Sequence, residues 1–276
     1  STLRKGIENS RNLMTIRIAQ YLGMEKVSEI AKRSGVMENM PNVLSMALGA
    51  GETSLIDLTA AYASFVNGGK KVEPSLIDRI QDRRGKNIFL ENFTACTNCD
   101  EPYIEENPMP KLVNSSESIF DEAKSYQMVS ILKGAVDRGT GRKTKIDGIE
   151  IAGKTGTTNN NTDAWFIGFT SDLIIGVYAG FDRPKSLGKR ETGSSVAVPI
   201  FRDFVKNYYQ EKPILPFTIP NGIELIRINY ETGKIAGDFN SSESVYEAFS
   251  KSDNLASSGE ILVGSEGFQI IEVVDE

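Results

Sequence analysis

Apolar side chains switch between helical and strand spacing along this chain, and the changes of period divide it into elements. Residues 2–9 carry the pattern of a helix that closes near Ser10. Met14, Ile16, Ile18, Ala19 and Leu22 make the broad apolar face of a second helix, which begins around Leu13 and stops at Gly23. A third helix covers 25–33 and ends at Gly35. Ser10, Arg11 and Asn12 therefore fall at a junction between helices, where polar side chains can point outward. Residues 51–69 start as a loop, continue as an amphipathic helix and terminate at Gly68 and Gly69. Ile77 and Ile80, a turn at 82–85, then Ile88 and Phe89 predict a hairpin. Residues 96–110 read as an irregular excursion. Phe120, Tyr126, Met128, Val129, Leu132 and Val136 predict a helix over 118–137, broken by Gly139 and Gly141.

Three strand patterns follow at 149–157, 164–169 and 173–181. Thr170, Ser171 and Asp172 join the second to the third, a link short enough to require an antiparallel hairpin. A helix is predicted over 196–209. Helices first, then a compact antiparallel meander, then a packing helix: this order predicts an α+β domain with helices covering the sheet. Pro213, Pro216 and Pro220 punctuate the way out, so 1–212 is expected as one domain and 213–276 as a C-terminal extension. That extension shows a strand-like pattern at 223–228. Its Ser, Asp, Glu and Gly content otherwise predicts an irregular tail with little chemistry in it.

Composition narrows the function classes. The chain has 276 residues, 39% apolar and 25% charged, which is enough for a full core. Its net charge is −6 with signs interspersed, and no basic tract suggests a nucleic-acid partner. No apolar run approaches the ~20 residues of a membrane span. The first residues read as helix and not as a signal peptide, so the start looks like a cut inside a fold. Cys96 and Cys99 form a C-x-x-C in a segment dense in Asn, Asp, Glu and Pro. A redox motif would want a helix start after a strand, and a zinc site would want two more ligands. Neither is on offer, so the pair is expected in a surface loop, disulfide-bonded in an oxidising compartment. No metal or cofactor is indicated.

The chain contains no histidine, so acyl-transfer chemistry here needs another base. A lysine amine can serve once burial or a neighbouring cation lowers its pKa. Lys154, Thr155, Gly156, Thr157 and Thr158 run in sequence at the end of a predicted strand. A cation on an edge strand sets up positive potential for a substrate carboxylate, and the Thr155 and Thr157 hydroxyls can donate to it. Gly156 leaves room for a substrate to lie along the strand, and the Thr157 N–H could support a developing oxyanion. By itself a K-T-G triplet fits a plain exposed strand end equally well, and Ser10-x-Asn12 alone reads as a helix cap and turn. Together they match two of the three motifs of penicillin-recognising serine enzymes, S-x-x-K, S-x-N and K-T-G.

The wider pattern carries a resemblance. TLRKGIENSRNLMTIRIAQYLG, LGAGETSLIDLTAAYASFVNGG, KGAVDRGTGRK, IAGKTGTTNNNTDAWFIGFT and ETGSSVAVPIFRDF occur in this order. Over residues 2–210 the chain resembles the transpeptidase domain of class A penicillin-binding proteins. The resemblance implies the fold shared with serine β-lactamases, an antiparallel sheet with helices on both faces, here truncated at its N-terminus. It implies a bifunctional peptidoglycan synthase at the periplasmic face of the inner membrane, with an upstream glycosyltransferase domain. Its partners would be D-Ala-D-Ala stem peptides and β-lactams. Carried over, Ser10 would relay a proton and Asn12 would hold the donor peptide. Lys154 would set the electrostatics and orient Ser10, while Thr155 and Thr157 would bind the terminal carboxylate beside Gly156.

The nucleophile of that family sits in S-x-x-K ahead of S-x-N, so it is expected upstream of this chain. Ser130-x-x-Lys133 and Ser186-x-x-Lys189 match the spacing but follow S-x-N instead of preceding it. Trp165 is expected as core packing, and Gly139-Thr140-Gly141 as a structural turn. Two further readings stay open: a non-catalytic stem-peptide scaffold, and a DD-carboxypeptidase or β-lactamase-like hydrolase. The chain alone is expected to be poorly stable without its upstream helix.

Overall fold

The computed structural model describes residues 2–91, 94–97, 111–114, 116–236, 244–251, 261–263 and 269–271. Helix α1 (Leu3–Glu8) opens at Thr2, whose Oγ1 accepts the Lys5 N–H. Helices α2 (Asn12–Leu22) and α3 (Met24–Arg33) follow, then α4 (Leu55–Val66), capped by Ser54. Strands β1 (Arg79–Gln81) and β2 (Asn87–Leu90) form the expected hairpin. β3 (Thr94–Thr97) pairs with β4 (Lys111–Asn114), so a short ladder frames the stretch expected to be irregular. Cys96 pairs with Leu112 in that ladder, and Cys99 lies outside the described residues.

Helix α5 (Glu122–Asp137) starts four residues later than the apolar pattern suggests. Ser118 is occupied in a bridge to Lys70, and Asp121 caps the helix by accepting the Lys124 N–H at 2.7 Å. Strands β5 (Ala152–Thr157), β6 (Asp163–Phe169) and β7 (Ile174–Gly180) make the predicted antiparallel meander. The order is β5-β6-β7, which leaves β5 at an edge. A single π turn over Gly193–Ala197 leads into α6 (Val198–Tyr208).

Alternation along β6 sorts the two sheet faces. Phe166 points to one, where it meets Phe201 of α6 edge-on at 4.9 Å, among Val136, Ile151, Val177, Val198 and Val205. Phe169 points to the other, where it packs on Phe217 with Ala152 and with Val129 and Leu132 of α5. Tyr62 and Phe65 of α4 close that second cluster. Helices thus cover both faces of an antiparallel sheet, the α+β arrangement expected from the sequence.

The extension holds more order than its composition suggests. Strands β8 (Ile223–Asn229) and β9 (Ser244–Ser250) pair antiparallel, burying Ile223, Ile228 and Ala248. Two further strands, β10 (Ile261–Val263) and β11 (Gln269–Ile271), pair beyond them. The β8–β9 hairpin is fastened to α5 by Gln127, which donates to the Ala248 carbonyl at 2.9 Å, and to α1 by charge. Arg4, 3% exposed, pairs with Glu247 of β9 and donates to the carbonyl and hydroxyl of Ser130, both at 2.9 Å. Glu8 is fully buried and accepts two bonds from Arg138 at 2.6 and 3.2 Å, one from Arg4 at 3.3 Å and one from Tyr230 at 2.9 Å. A buried carboxylate is tolerable only when paired and hydrogen-bonded in this way.

The approach of α1 to α5 depends on glycine. A Cβ at Gly134 would lie 1.8 Å from Glu8 Oε1, and one at Gly139 would lie 2.1 Å from the Glu8 carbonyl oxygen. Gly134→Ala therefore sets two effects against each other. Alanine gains about 1 kcal/mol of helix propensity at a mid-helix site. Displacing Glu8 from its cations costs about 3–5 kcal/mol. The second wins, and a urea titration should show Gly134→Ala destabilised by about 2–4 kcal/mol.

Candidate active site

The end of α1 presents Ser10. The Arg11 N–H bonds the Gly6 carbonyl at 2.8 Å and the Ser10 N–H bonds the Ile7 carbonyl at 3.1 Å. These two bonds form a Schellman closure, and Ser10 occupies the left-handed position with φ +50°. Glycine normally takes that position, because a Cβ there costs roughly 1–2 kcal/mol. Here the closure turns a hydroxyl outward at the helix junction. Asn12 begins α2 two residues later, exposed, with no hydrogen bond to its amide among the described residues.

β5 supplies the other half. Lys154 Nζ donates to Ser10 Oγ and, at 3.0 Å, to the Thr155 carbonyl. The two partners are 144 positions apart, so the fold and not the local chain brings them together. Burial lowers the Lys154 pKa to about 8 from 10.5, because the ammonium loses hydration. The folded state therefore holds this proton less tightly than the unfolded chain. The charging cost to stability is fully present below pH ~8 and fades as pH climbs toward 10.5. Among the described residues Lys154 has no carboxylate partner, so its field is open to an incoming anion.

The threonines are held from behind. Thr155 Oγ1 lies 2.8 Å from Thr140 Oγ1, and Thr140 is anchored by its N–H to the Glu8 carbonyl at 3.1 Å. Thr157 Oγ1 accepts the Gly193 N–H at 3.0 Å, which leaves its own proton for donation elsewhere. Gly156 stands opposite Trp165, and a Cβ there would approach Trp165 Cβ to 3.1 Å. The missing side chain thus accommodates the indole as well as keeping the strand bare. Trp165 is half-buried and lies against the Tyr178 ring at 4.7 Å, between core and surface.

The two other serine-lysine spacings are committed elsewhere. Ser130 accepts from Arg4, and Lys133 pairs with Asp137 at 3.1 Å and Glu150 at 3.7 Å. Ser186 accepts the Gly188 N–H within its loop at 3.2 Å.

The model for the penicillin-binding protein transpeptidase domain matches residues 1–206. The chain belongs to the penicillin-binding transpeptidase family. It is 46% identical over 240 residues to penicillin-binding protein 1A of Rickettsia conorii, covering 85% of this chain and 30% of that one. To penicillin-binding protein 1A of Pseudomonas aeruginosa it is 32% identical over 294 residues, covering 95% and 36% respectively. The chain therefore spans about a third of the length of these curated relatives. The crystal structure of penicillin-binding protein 1A from Haemophilus influenzae superposes with a TM-score of 0.73 at 29% identity, over 89% of this chain and 39% of that one.

Sequence reasoning singled out Ser10, Asn12 and the K-T-G-T run, and the structure joins Ser10 to Lys154. It missed the support behind them, Glu8, Arg138 and Thr140, although the Gly139-Thr140-Gly141 turn marked where one of them sits. Ser10→Ala and Ser10→Gly both remove the hydroxyl and differ only in tolerance of φ +50°. The glycine variant should be more stable than the alanine variant by about 1 kcal/mol in thermal unfolding.

Proposed function

We propose that this chain forms the S-x-N and K-T-G-T half of a peptidoglycan DD-transpeptidase site. Residues 1–212 make the C-terminal part of the transpeptidase domain and 213–276 its extension. The single observation that carries this reading is the bond from Lys154 to Ser10 at the open margin of β5, with no carboxylate among the described residues to neutralise the lysine. The family match and the relatives named penicillin-binding protein 1A support it.

In this mechanism the nucleophile is a serine of the S-x-x-K motif, upstream of Ser1. Its Oγ attacks the penultimate D-alanine carbonyl of a D-Ala-D-Ala stem peptide. An ester forms, the peptide bond breaks, and the terminal D-alanine leaves as an amine after receiving a proton. The lysine of S-x-x-K takes the proton of the attacking serine and Ser10 relays it to that amine, its hydroxyl oriented by the ammonium of Lys154. Asn12 holds an amide of the donor peptide. Thr155 and Thr157 donate to the substrate carboxylate, and that carboxylate and Lys154 attract each other in a partly desolvated setting. An acceptor amine on a neighbouring strand then attacks the ester and frees the serine. A β-lactam enters the same way, its carboxylate standing in for the peptide terminus.

The full-length protein would also carry a glycosyltransferase domain and act at the periplasmic face of the inner membrane. No helix among the described residues is long and apolar enough to cross a membrane. The names of the relatives favour the synthase over a scaffold, carboxypeptidase or β-lactamase reading.

Fluorescent penicillin and mass spectrometry test the assignment. The full-length protein should take a covalent label on a serine upstream of Ser1, and Lys154→Ala should cut the labelling rate by about 100-fold or more. Full labelling of Lys154→Ala would sink the assignment. Affinity for the anionic ligand should also fall as pH rises through about 8, where the Lys154 ammonium loses its proton.

A further inference from the structure

We propose that Tyr230, in the C-terminal extension, is a positioning residue for Ser10. The β8–β9 hairpin thereby becomes a working part of the transpeptidase site. This inference rests on the transpeptidase reading above.

Helix α1 has six residues, far fewer than the ~12–15 at which an isolated helix becomes even marginally stable. It ends in a left-handed serine, which the chain would not choose unaided. The place of Ser10 relative to Lys154 must therefore be imposed from outside. α5 does so on one side through Gly134 and Gly139. The extension does so on the other.

Tyr230 makes the contact nearest to the serine. Its hydroxyl donates to Glu8 Oε2 at 2.9 Å and accepts from Asn9 Nδ2 at 3.0 Å. Asn9 is the helix cap immediately before Ser10, and its Nδ2 also donates to the Lys5 carbonyl at 3.0 Å. One phenol thus bridges the two residues that precede the strained serine. The Tyr230 carbonyl accepts from Thr2 Oγ1 at 3.1 Å, which fastens the start of the same helix. The ring lies 5.6 Å beneath the Arg138 guanidinium, and Arg138 in turn holds Glu8. Glu231 pairs with Lys5, and Glu247 pairs with Arg4. The extension therefore grips α1 along its length, from Thr2 to Asn9. Glu8 carries the restraint onward, because its carbonyl fixes Thr140 and Thr140 fixes Thr155. Ser10 and the carboxylate-binding threonine hang from the same anchored residue.

A shift of a proton relay by an ångström costs rate far more than it costs binding. The test is Tyr230→Phe in the full-length protein, which keeps the ring and removes only the hydroxyl, with Glu247→Gln as a second variant. Stopped-flow labelling by fluorescent penicillin separates the dissociation constant from the acylation rate constant, and melting temperatures are recorded alongside. Tyr230→Phe should slow acylation by about tenfold or more while the dissociation constant stays within about twofold, with complete final labelling. Glu247→Gln should show the same split with a smaller loss. Acylation at the wild-type rate in both variants, whatever their melting temperatures, overturns the proposal. So does a loss that appears only as a smaller labelled fraction, since that is the mark of unfolded protein. A wild-type protein that takes no label overturns the transpeptidase reading and this one together; a labelled wild type with an equally fast Tyr230→Phe overturns this one alone.

Discussion

The buried carboxylate of Glu8 is the constraint on which the arrangement depends. An isolated ion at that depth would cost many kcal/mol, and the protein meets this by surrounding it with Arg138, Arg4 and the Tyr230 hydroxyl. Those partners come from three places: the C-cap of α5, α1 itself and the turn after β8. Once the charge is buried, none of the three can move without uncovering it. Pairing of this kind adds less to net stability than its number of bonds suggests, since desolvation offsets most of the attraction. What it supplies is a unique geometry. The helix end, the α5 turn and the hairpin have one satisfied arrangement, and Ser10 is delivered to the sheet edge within it.

Lys154 works by the opposite principle. Glu8 is buried and fully compensated, whereas Lys154 is half-buried and, among the described residues, faces only a hydroxyl and a carbonyl. Loss of hydration without a counter-ion brings its pKa down to about 8, so it still carries its charge at neutral pH but holds it in a setting that favours an anion nearby. This is how a chain without histidine supplies a group that titrates close to physiological pH. The two sites are linked. The fully neutralised cluster fixes where Ser10 stands, and the unneutralised lysine sets what Ser10 and its surroundings can attract.

Much of this was legible in the residues. The meander could be read because β5, β6 and β7 are close in sequence and their loops admit only antiparallel pairing. Lys154, Thr155, Gly156 and Thr157 stand out because one strand carries them consecutively. What escaped depends on long-range pairing. Nothing local relates Tyr230 to Glu8, which lie 222 positions apart, or Arg4 to Glu247, which lie 243 apart. The extension was expected to be a tail because its Ser, Asp and Glu content outweighs its few apolar positions. Three of those positions, Ile223, Ile228 and Ala248, are nonetheless buried, and its acidic residues are matched to cations on α1. The late start of α5 was missed for a related reason. Apolar spacing continues through Ile119 and Phe120, while Asp121 ends the helix backward by capping it.

Ser10 shows why a strained side chain is hard to weigh from sequence. A Schellman closure wants glycine at its left-handed position, and α3 and α4 end with one there: Gly35 and Gly68 follow them with φ of +76° and +65°. Serine at the equivalent place after α1 departs from that preference, at a cost of roughly 1–2 kcal/mol. A local rule broken without local gain points to function. That signal exists only once the helix end is known to the residue, and apolar periodicity leaves it uncertain by one or two positions. Shifted by one, Ser10 is an ordinary cap. In its true register it is a strained side chain held against a lysine from a distant strand, and only tertiary contacts can keep it there.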